Sequence, residues 1–391
     1  MLPTAGFKYS LPDGDYLLSG YVAAASEYPE AARLPLLAAV GIPIATPFTI
    51  AGSAKPRLAT DGNGRWVFIS GVTVNTAWYS TDDGATWSTT GTGVGTPVSV
   101  CCTGTHFHVF GNDATQINSA YIAVGGLGGA WTSLAPAVST GGLAADTVDC
   151  CWSGSNVMIA VGTSTNSYTA PSGSNVLTAR ANSPASATIL IASDGAGAGL
   201  IIGGANCAAT TNHGVNWAAG SAAPAYSGAS GTITDKNMGL GVATAGGSRV
   251  WIRCSSSQGY YYTSTDNGTT WVGRTMPGVL SPNSVNTGQT SFNYDNTSGK
   301  AQCVLNGCVL ESSDGVRWQS SCQITPYATR TLQTSSIERK GTAFIAADTG
   351  TTGYHVYSSR FPNADYVGLT TNSQQYSGAP SSQYVKVKNS A

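Results

Sequence analysis

The chain has 391 residues, of which 9% are charged, and its 18 Lys+Arg against 19 Asp+Glu leave a net charge of −1. Ordinary soluble proteins carry about 25% charged residues, and with no basic run here, nucleic-acid binding through phosphate neutralisation is excluded. Its 49 glycines, with abundant Ser, Thr and Ala, describe a turn-rich β protein with a polar, uncharged surface.

Residues 1–52 stand apart. They hold Pro3, Pro12, Pro29, Pro35, Pro43 and Pro47 and an apolar stretch from Leu34 to Ile50. So much proline predicts extended chain, and so apolar a stretch predicts cover. Two roles fit: wrapping the following domain or supplying a strand that closes it, or an arm docking onto a neighbouring subunit or partner. Ala23 to Arg33 allows a short helical turn. The prolines break the apolar stretch too often for a membrane span. Met1 to Tyr9 lacks a basic region followed by an apolar core, so folding in the cytoplasm is expected.

From residue 53 onward two repeat series interleave. In the first, a glycine turn leads into a strand, at Gly64-Arg65-Trp66-Val67, Gly104-Thr105-His106-Phe107 and Gly154-Ser155-Asn156-Val157. It recurs at Gly197, Gly247, Gly299 and Gly341, at spacings of roughly 40–50 residues, the length of a four-stranded unit. The second series is a turn closed by tryptophan. Ser80-Thr81-Asp82-Asp83-Gly84-Ala85-Thr86-Trp87 and Ser264-Thr265-Asp266-Asn267-Gly268-Thr269-Thr270-Trp271 both fit S-x-D-x-G-x-x-W. Thr210 to Trp217 keeps the frame, Ser312 to Trp318 is one residue shorter, and Gly128 to Trp131 keeps only the end. Thr169 to Val176, with Gly173, and Ser358 to Asp365 occupy the same place without the signature residues.

β-branched and aromatic runs bounded by turn residues, such as Trp66-Val67-Phe68-Ile69 and Asn156 to Val161, predict strands. Cys303 to Leu310 reads as a hairpin about Asn306-Gly307. Of the nine cysteines, Cys101-Cys102 and Cys150-Cys151 occupy matching repeat positions and are expected as buried free thiols, while Cys303 and Cys308 lie across one hairpin. Gln383 to Lys388 alternates as a strand that completes the last repeat or pairs with the first.

The tryptophan-closed turns resemble the Asp-box, which recurs in sialidase-like β-propellers. The resemblance implies an all-β fold, a β-propeller of four-stranded antiparallel blades; the repeat series count seven blades, a seven-bladed β-propeller over residues 53–391, with residues 1–52 as an extended anchoring or wrapping arm. It marks a fold rather than an activity.

Sialidases on this fold use three arginines, a Tyr/Glu pair and an acid/base Asp, the first arginine in an Arg-Ile-Pro motif. Here the echo is Gly41-Ile42-Pro43, without arginine. Glutamate occurs only at Glu27, Glu30, Glu311 and Glu338, which leaves Glu311 and Glu338 as the propeller's candidates. His106 and His108 share a strand face and are a metal candidate lacking a third ligand. Asp61-Gly62-Asn63-Gly64 begins like a calcium loop and then fails, and is expected to be a hairpin turn. Tyr260-Tyr261-Tyr262 is a candidate aromatic surface, with at least one ring in the core.

The chain is similar to propeller modules of tailed-bacteriophage appendage, fibre and baseplate proteins, a look carried by Val157 to Gly162 and Ser312 to Trp318. The resemblance implies a virion structural protein folded in the host cytoplasm before assembly. Its partners would be other virion proteins and copies of itself, with host surface glycan as a further contact and neither nucleic acid nor membrane. No enzyme activity, catalytic residue, cofactor or metal is expected. The alternative is a soluble carbohydrate-binding or sialidase-like glycoside hydrolase propeller with its site at the mouth of the central channel. A photosystem-assembly or sorting-receptor scaffold shares the box but normally carries targeting sequences.

Overall fold

The computed structural model describes side chains in residues 57–70, 75–84, 86–111, 116–133, 148–162, 164–174, 176–186, 189–204, 206–221, 239–244, 246–253, 261–274, 299–302 and 310–318; elsewhere it describes the backbone of strands. Successive repeats fold into antiparallel meanders. The first sheet is Arg57–Thr60, Trp66–Ile69, Thr76–Ser80 and Ser88–Gly91, in that order across the sheet. The second runs Thr96–Cys102, His106–Asn112, Gln116–Ala123 and Thr132–Ser133. The third is Val148–Trp152, Asn156–Val161, Ser167–Pro171 and Thr178–Arg180, and the fourth Ile189–Ser193, Gly199–Gly203, Asn206–Thr210 and Ala218–Ala219. Gly239–Ala243, Val250–Cys254, Tyr260–Ser264 and Val272–Thr275 make the fifth. Phe292–Asp295, Lys300–Leu305, Cys308–Ser312 and Gln319–Gln323 make the sixth.

Thr334–Lys340, Ala343–Gly350 and Gly353–Pro362 follow as another meander, and its outer strand comes from the other end of the chain: Gly41–Pro43 pairs antiparallel with Gly353–Pro362. The first strand of each sheet packs against the first strand of the next, and Thr334–Lys340 returns to Arg57–Thr60.

This geometry explains the sequence pattern. A second strand such as Trp66–Ile69 or Gly199–Gly203 is buried throughout because both faces of its sheet are covered. It therefore reads as a continuous apolar run rather than an alternation. Fourth strands such as Ala218–Ala219 are exposed and short, as sheet edges must be.

The core lies in slabs between sheets. Ala59, Val67 and Ile69 of the first sheet pack with Val100, Phe107 and Trp131 of the second. Met158 and Ala160 of the third pack with Ile191, Ile201 and Trp217 of the fourth, and Leu200 and Cys207 of the fourth with Trp251 and Trp271 of the fifth. Trp131, Trp217 and Trp271 thus fill the slab shared with the preceding sheet, each removing roughly 150–250 Å² from water, a gross gain of about 4–6 kcal/mol.

Four expectations are revised. The C-terminal strand exists as Tyr384–Val387, but its partner is Gly14–Leu18, which also forms a hairpin with Lys8–Leu11. An apolar alternation specifies a strand without specifying its neighbour. Strand Gly353–Pro362 runs straight through Ser358, so no tryptophan-type turn begins there, consistent with the missing Asp and Gly. Cys303 and Cys308 are not opposite one another: Cys303 pairs with Leu310 and Cys308 with Leu305, and Asn306-Gly307 lies outside the described residues. Of the helical turn at Ala23 to Arg33, Ala23 and Ala24 belong to strand Val22–Ala24, which pairs with Tyr366–Gly368, and the rest lies outside the described residues. Among the described residues no helix is long and apolar enough to cross a membrane.

Candidate functional site

The acids of the tryptophan-closed turns direct their bonds inward to the turn. Ser80 Oγ accepts the Gly84 N–H at 2.8 Å and donates to Asp82 Oδ1 at 2.7 Å, and Asp82 Oδ1 accepts the Thr86 N–H at 2.9 Å. Ser264, Asp266, Gly268 and Thr270 repeat the pattern, with Gly268 N–H on Ser264 Oγ and Thr270 N–H on Asp266 Oδ1, both at 2.8 Å. Thr210 and Asn212 do the same in the fourth sheet. In the shorter copy Asp314 accepts the N–H groups of Val316 and Arg317. Burial works against ionisation of Asp82, but the bonds from Thr86 and Ser80 outweigh it and hold its carboxyl below its ordinary value. The Thr270 bonds do the same for Asp266. A carboxylate with a lowered pKa and four local partners is a turn staple rather than an acid catalyst.

In the three full-length tryptophan-closed turns the residue before the glycine adopts a left-handed backbone: Asp83 has φ 59°, His213 59° and Asn267 55°. Asp, Asn and His tolerate this region better than most side chains. Asp83 N–H and His213 N–H bond the carbonyls of Gly64 and Gly197, at 2.8 Å each, so the two repeat series meet at these positions.

Asp61 is a hairpin turn residue, as expected. Its Oδ1 accepts the N–H groups of Asn63 and Arg65, at 2.7 and 3.1 Å. Asp194 in the fourth sheet makes the same bonds to Ala196 and Ala198, and its other oxygen takes Arg249 from the fifth sheet at 2.9 Å.

The structure brings His106 and His108 together, with ring centroids 6.4 Å apart, beside Tyr121. His108 is buried, and its Nε2 accepts the Gly173 N–H at 3.2 Å, so that lone pair is spent on the third sheet. Burial, with a smaller push from His106, takes the His108 pKa down to about 4. Among the described residues no group of three His, Cys, Asp or Glu is placed to hold a metal ion.

Glu311 is buried and bound, with Lys300 Nζ on Oε2 at 3.1 Å and Gln302 Nε2 on Oε1 at 2.9 Å. Glu338 lies on strand Thr334–Lys340, outside the described side chains. Tyr261 and Tyr262 are both in the core, and the Tyr261 hydroxyl reaches the Val316 carbonyl of the sixth sheet at 3.2 Å. Neither offers aromatic surface.

One cluster was not anticipated. Asp149, on the first strand of the third sheet, accepts Ser99 Oγ of the second at 3.0 Å and the Ile191 N–H of the fourth at 3.1 Å. Arg57 of the first sheet reaches the same carboxylate, Nε to Oδ1 at 3.8 Å. Four first strands are thereby tied through one side chain. Its only sequence trace is Asp149 interrupting an apolar strand, Val148-Asp149-Cys150-Cys151. Both Asp149 oxygens hold protein donors, which suits positioning and charge compensation better than proton transfer.

No known family model matches the chain, and no curated protein matches it by sequence. Solved structures resemble it in fold. A YCF48 protein bound to a D1 peptide is 13% identical with a TM-score of 0.52, covering 82% of this chain and 98% of that one. Virginiamycin B lyase from Staphylococcus aureus is 9% identical with a TM-score of 0.54, covering 78% and 95%. The WD40 repeats of RRP9 are 7% identical with a TM-score of 0.54, covering 82% and 98%. Identities this low carry the fold and no function, and these proteins differ in function while sharing one architecture. With its successive four-stranded antiparallel meanders, the chain is a β-propeller.

Proposed function

We propose that this chain is a non-enzymatic propeller of a bacteriophage virion, a tail, fibre, baseplate or capsid-surface component. It is built as seven blades joined by Asp-box turns. The observation that carries the reading is where the reactive groups are spent. Asp82, Asp266, Asp314, Glu311, His108 and Asp149 each hold turns, strands or neighbouring sheets together. Such use of scarce charge favours a rigid contact module over turnover. The count of seven is supported by the cycle of first strands, each against the next, with Thr334–Lys340 returning to Arg57–Thr60.

Residues 1–52 then have two parts. Gly41–Pro43 adds the outer strand of the last blade, and the chain before it, paired with Tyr384–Val387, forms the base that mounts the propeller on the particle. Partners are other virion proteins and further copies, with host surface glycan at the exposed loops. Folding precedes assembly, in the host cytoplasm.

A soluble carbohydrate-binding or sialidase-like propeller is favoured by one observation. Arg57 and Asp149 lie on first strands, nearest the axis, where a polar ligand at the channel mouth would find them. Light-scattering mass on a sizing column separates the readings, run on the full chain and on a chain beginning at Gly41. A defined oligomer for the first and a folded monomer for the second is the expected pair. Monomers throughout, with glycan hydrolysis or saturable glycan binding, would overturn the virion reading.

A further inference from the structure

Two thiols from neighbouring sheets share one buried core cluster. Cys101 lies on Thr96–Cys102 and Cys150 on Val148–Trp152, first strands that pack side by side. Both are free, both are 7% exposed, and both belong to one apolar cluster with Phe110, Val157 and Ile159. Ser99 fixes the alignment of the two strands. Its Oγ accepts the Cys150 N–H at 3.0 Å and lies 3.2 Å from Cys150 Sγ, while its proton goes to Asp149. Two residues further along the same strand face, Cys101 enters the same core cluster as Cys150. Strand alternation turns their sequence neighbours away. Cys102 packs against the cluster shared with the first sheet, and Cys151 against the cluster shared with the fourth.

We propose that Cys101 and Cys150 form an oxidisable pair whose disulfide staples the second and third blades together at the inner ring. The oxidant is a small disulfide of the glutathione type. One protein thiolate attacks it, forming a mixed disulfide and releasing one reduced thiol. The second protein thiolate then displaces the other, so that the protein S–S bond forms as the oxidant's S–S bond breaks. Two electrons and both thiol protons end on the two released thiols. The bonded, buried position of Cys101 pushes its pKa well up. The folded pair therefore reacts slowly, and the bond forms when the chain folds in an oxidising medium; in a reducing cytoplasm the pair stays as thiols. The inference stands apart from the functional reading above, since it needs only the fold.

The test refolds the full chain from urea in buffer containing excess oxidised glutathione, followed by alkylation, digestion and peptide mass mapping. The expected product is a cross-linked peptide pair containing Cys101 and Cys150, lighter than the separate peptides by two hydrogens. The urea midpoint should rise and return to that of the reduced protein on reduction, because the bridge constrains the unfolded chain. Cys150→Ser should lose both signals and Cys102→Ser should keep both. Finding Cys101 and Cys150 alkylated in the folded product, or Cys101 bridged to another cysteine, would overturn the proposal. If Cys150→Ser does not fold, the peptide map of the unsubstituted chain decides alone.

Discussion

Gly268 of the fifth sheet is seated against Cys207 of the fourth. A Cβ on Gly268 would lie 2.8 Å from Cys207 Sγ and 3.2 Å from Leu200 Cδ1. Other box glycines repeat the relationship: Gly173 meets His106, Gly214 meets Met158, and Gly315 meets Val250, each side chain belonging to the preceding sheet. The box glycine is therefore required twice, for a left-handed turn and for close approach between blades. Gly247, at φ +80° with nothing within 4 Å of its virtual Cβ, isolates the first requirement. Gly247→Ala should cost about 1–2 kcal/mol of backbone strain. Gly268→Ala should add overpacking of about 1–3 kcal/mol. Urea denaturation of the two variants reads the difference, and equal losses would refute a contact role for Gly268.

Removing a box carboxylate should loosen its turn. Asp82→Ala takes acceptors from the Thr86 N–H and from Ser80, a loss of about 1–2 kcal/mol. Asp82→Asn should lose less, since Asn212 holds the corresponding Asn216 N–H at 2.9 Å in the fourth sheet. The lowered carboxyl pKa values give the sign with pH. Their stabilisation is complete above the unfolded value, near 3.9, and is lost as pH falls through the lower folded value. Thermal melts between pH 5 and 2 should show Asp82→Ala converging on the unsubstituted protein at the acid end.

The sequence carried the repeat because the fold demands it at every blade. Ser80, Asp82, Gly84 and Trp87 bond and pack within one turn, so their spacing is visible in a short window. Even the left-handed residue before the glycine of the three full-length turns, Asp83, His213 or Asn267, is legible in retrospect as a restricted residue type. What could not be read were contacts that join distant segments. Asp149 meets Ser99, about 50 positions away, and Ile191, about 40 positions on, and no local pattern encodes that meeting. The Gly41–Pro43 pairing with Gly353–Pro362 is another such contact. Glu311 and His108 looked available for chemistry because a sequence shows ionisable groups and hides the bonds that occupy them.

His108 should give the protein a second, separate acid sensitivity. Its folded-state pKa of about 4 lies below the ordinary 6.5. Between those values the unfolded chain binds a proton that the folded chain refuses. Stability should therefore fall as pH drops from 6.5 to about 4, by up to about 1.4 kcal/mol per pH unit, and then cease to depend on this group. Phe110 and Tyr121 both stack near the ring, and His106 is the neighbouring titratable group. His108→Gln keeps an acceptor for the Gly173 N–H while removing the titration. Its urea midpoint should be flat from pH 6.5 to 4.5, where that of the unsubstituted protein slopes.

Glu311 offers the sharpest contrast between a strut and a catalyst. Its carboxylate receives Lys300 and Gln302 from the neighbouring strand of the same sheet, and Gln302 is fully buried. Glu311→Ala strips a buried amide of its acceptor, a cost of about 1–3 kcal/mol. Glu311→Gln keeps one acceptor oxygen and should cost less, because Lys300, at 32% side-chain exposure, can turn to water. A glycosidase acid or nucleophile would show the opposite order of severity: Gln would abolish turnover while leaving stability nearly intact. Urea midpoints for both variants, alongside hydrolysis of an aryl glycoside or aryl sialoside by the unsubstituted chain, separate the two roles. The expected result is graded destabilisation, Ala above Gln, with no turnover to lose. Measurable hydrolysis that Glu311→Gln eliminates would assign this buried carboxylate to chemistry and return the soluble hydrolase reading.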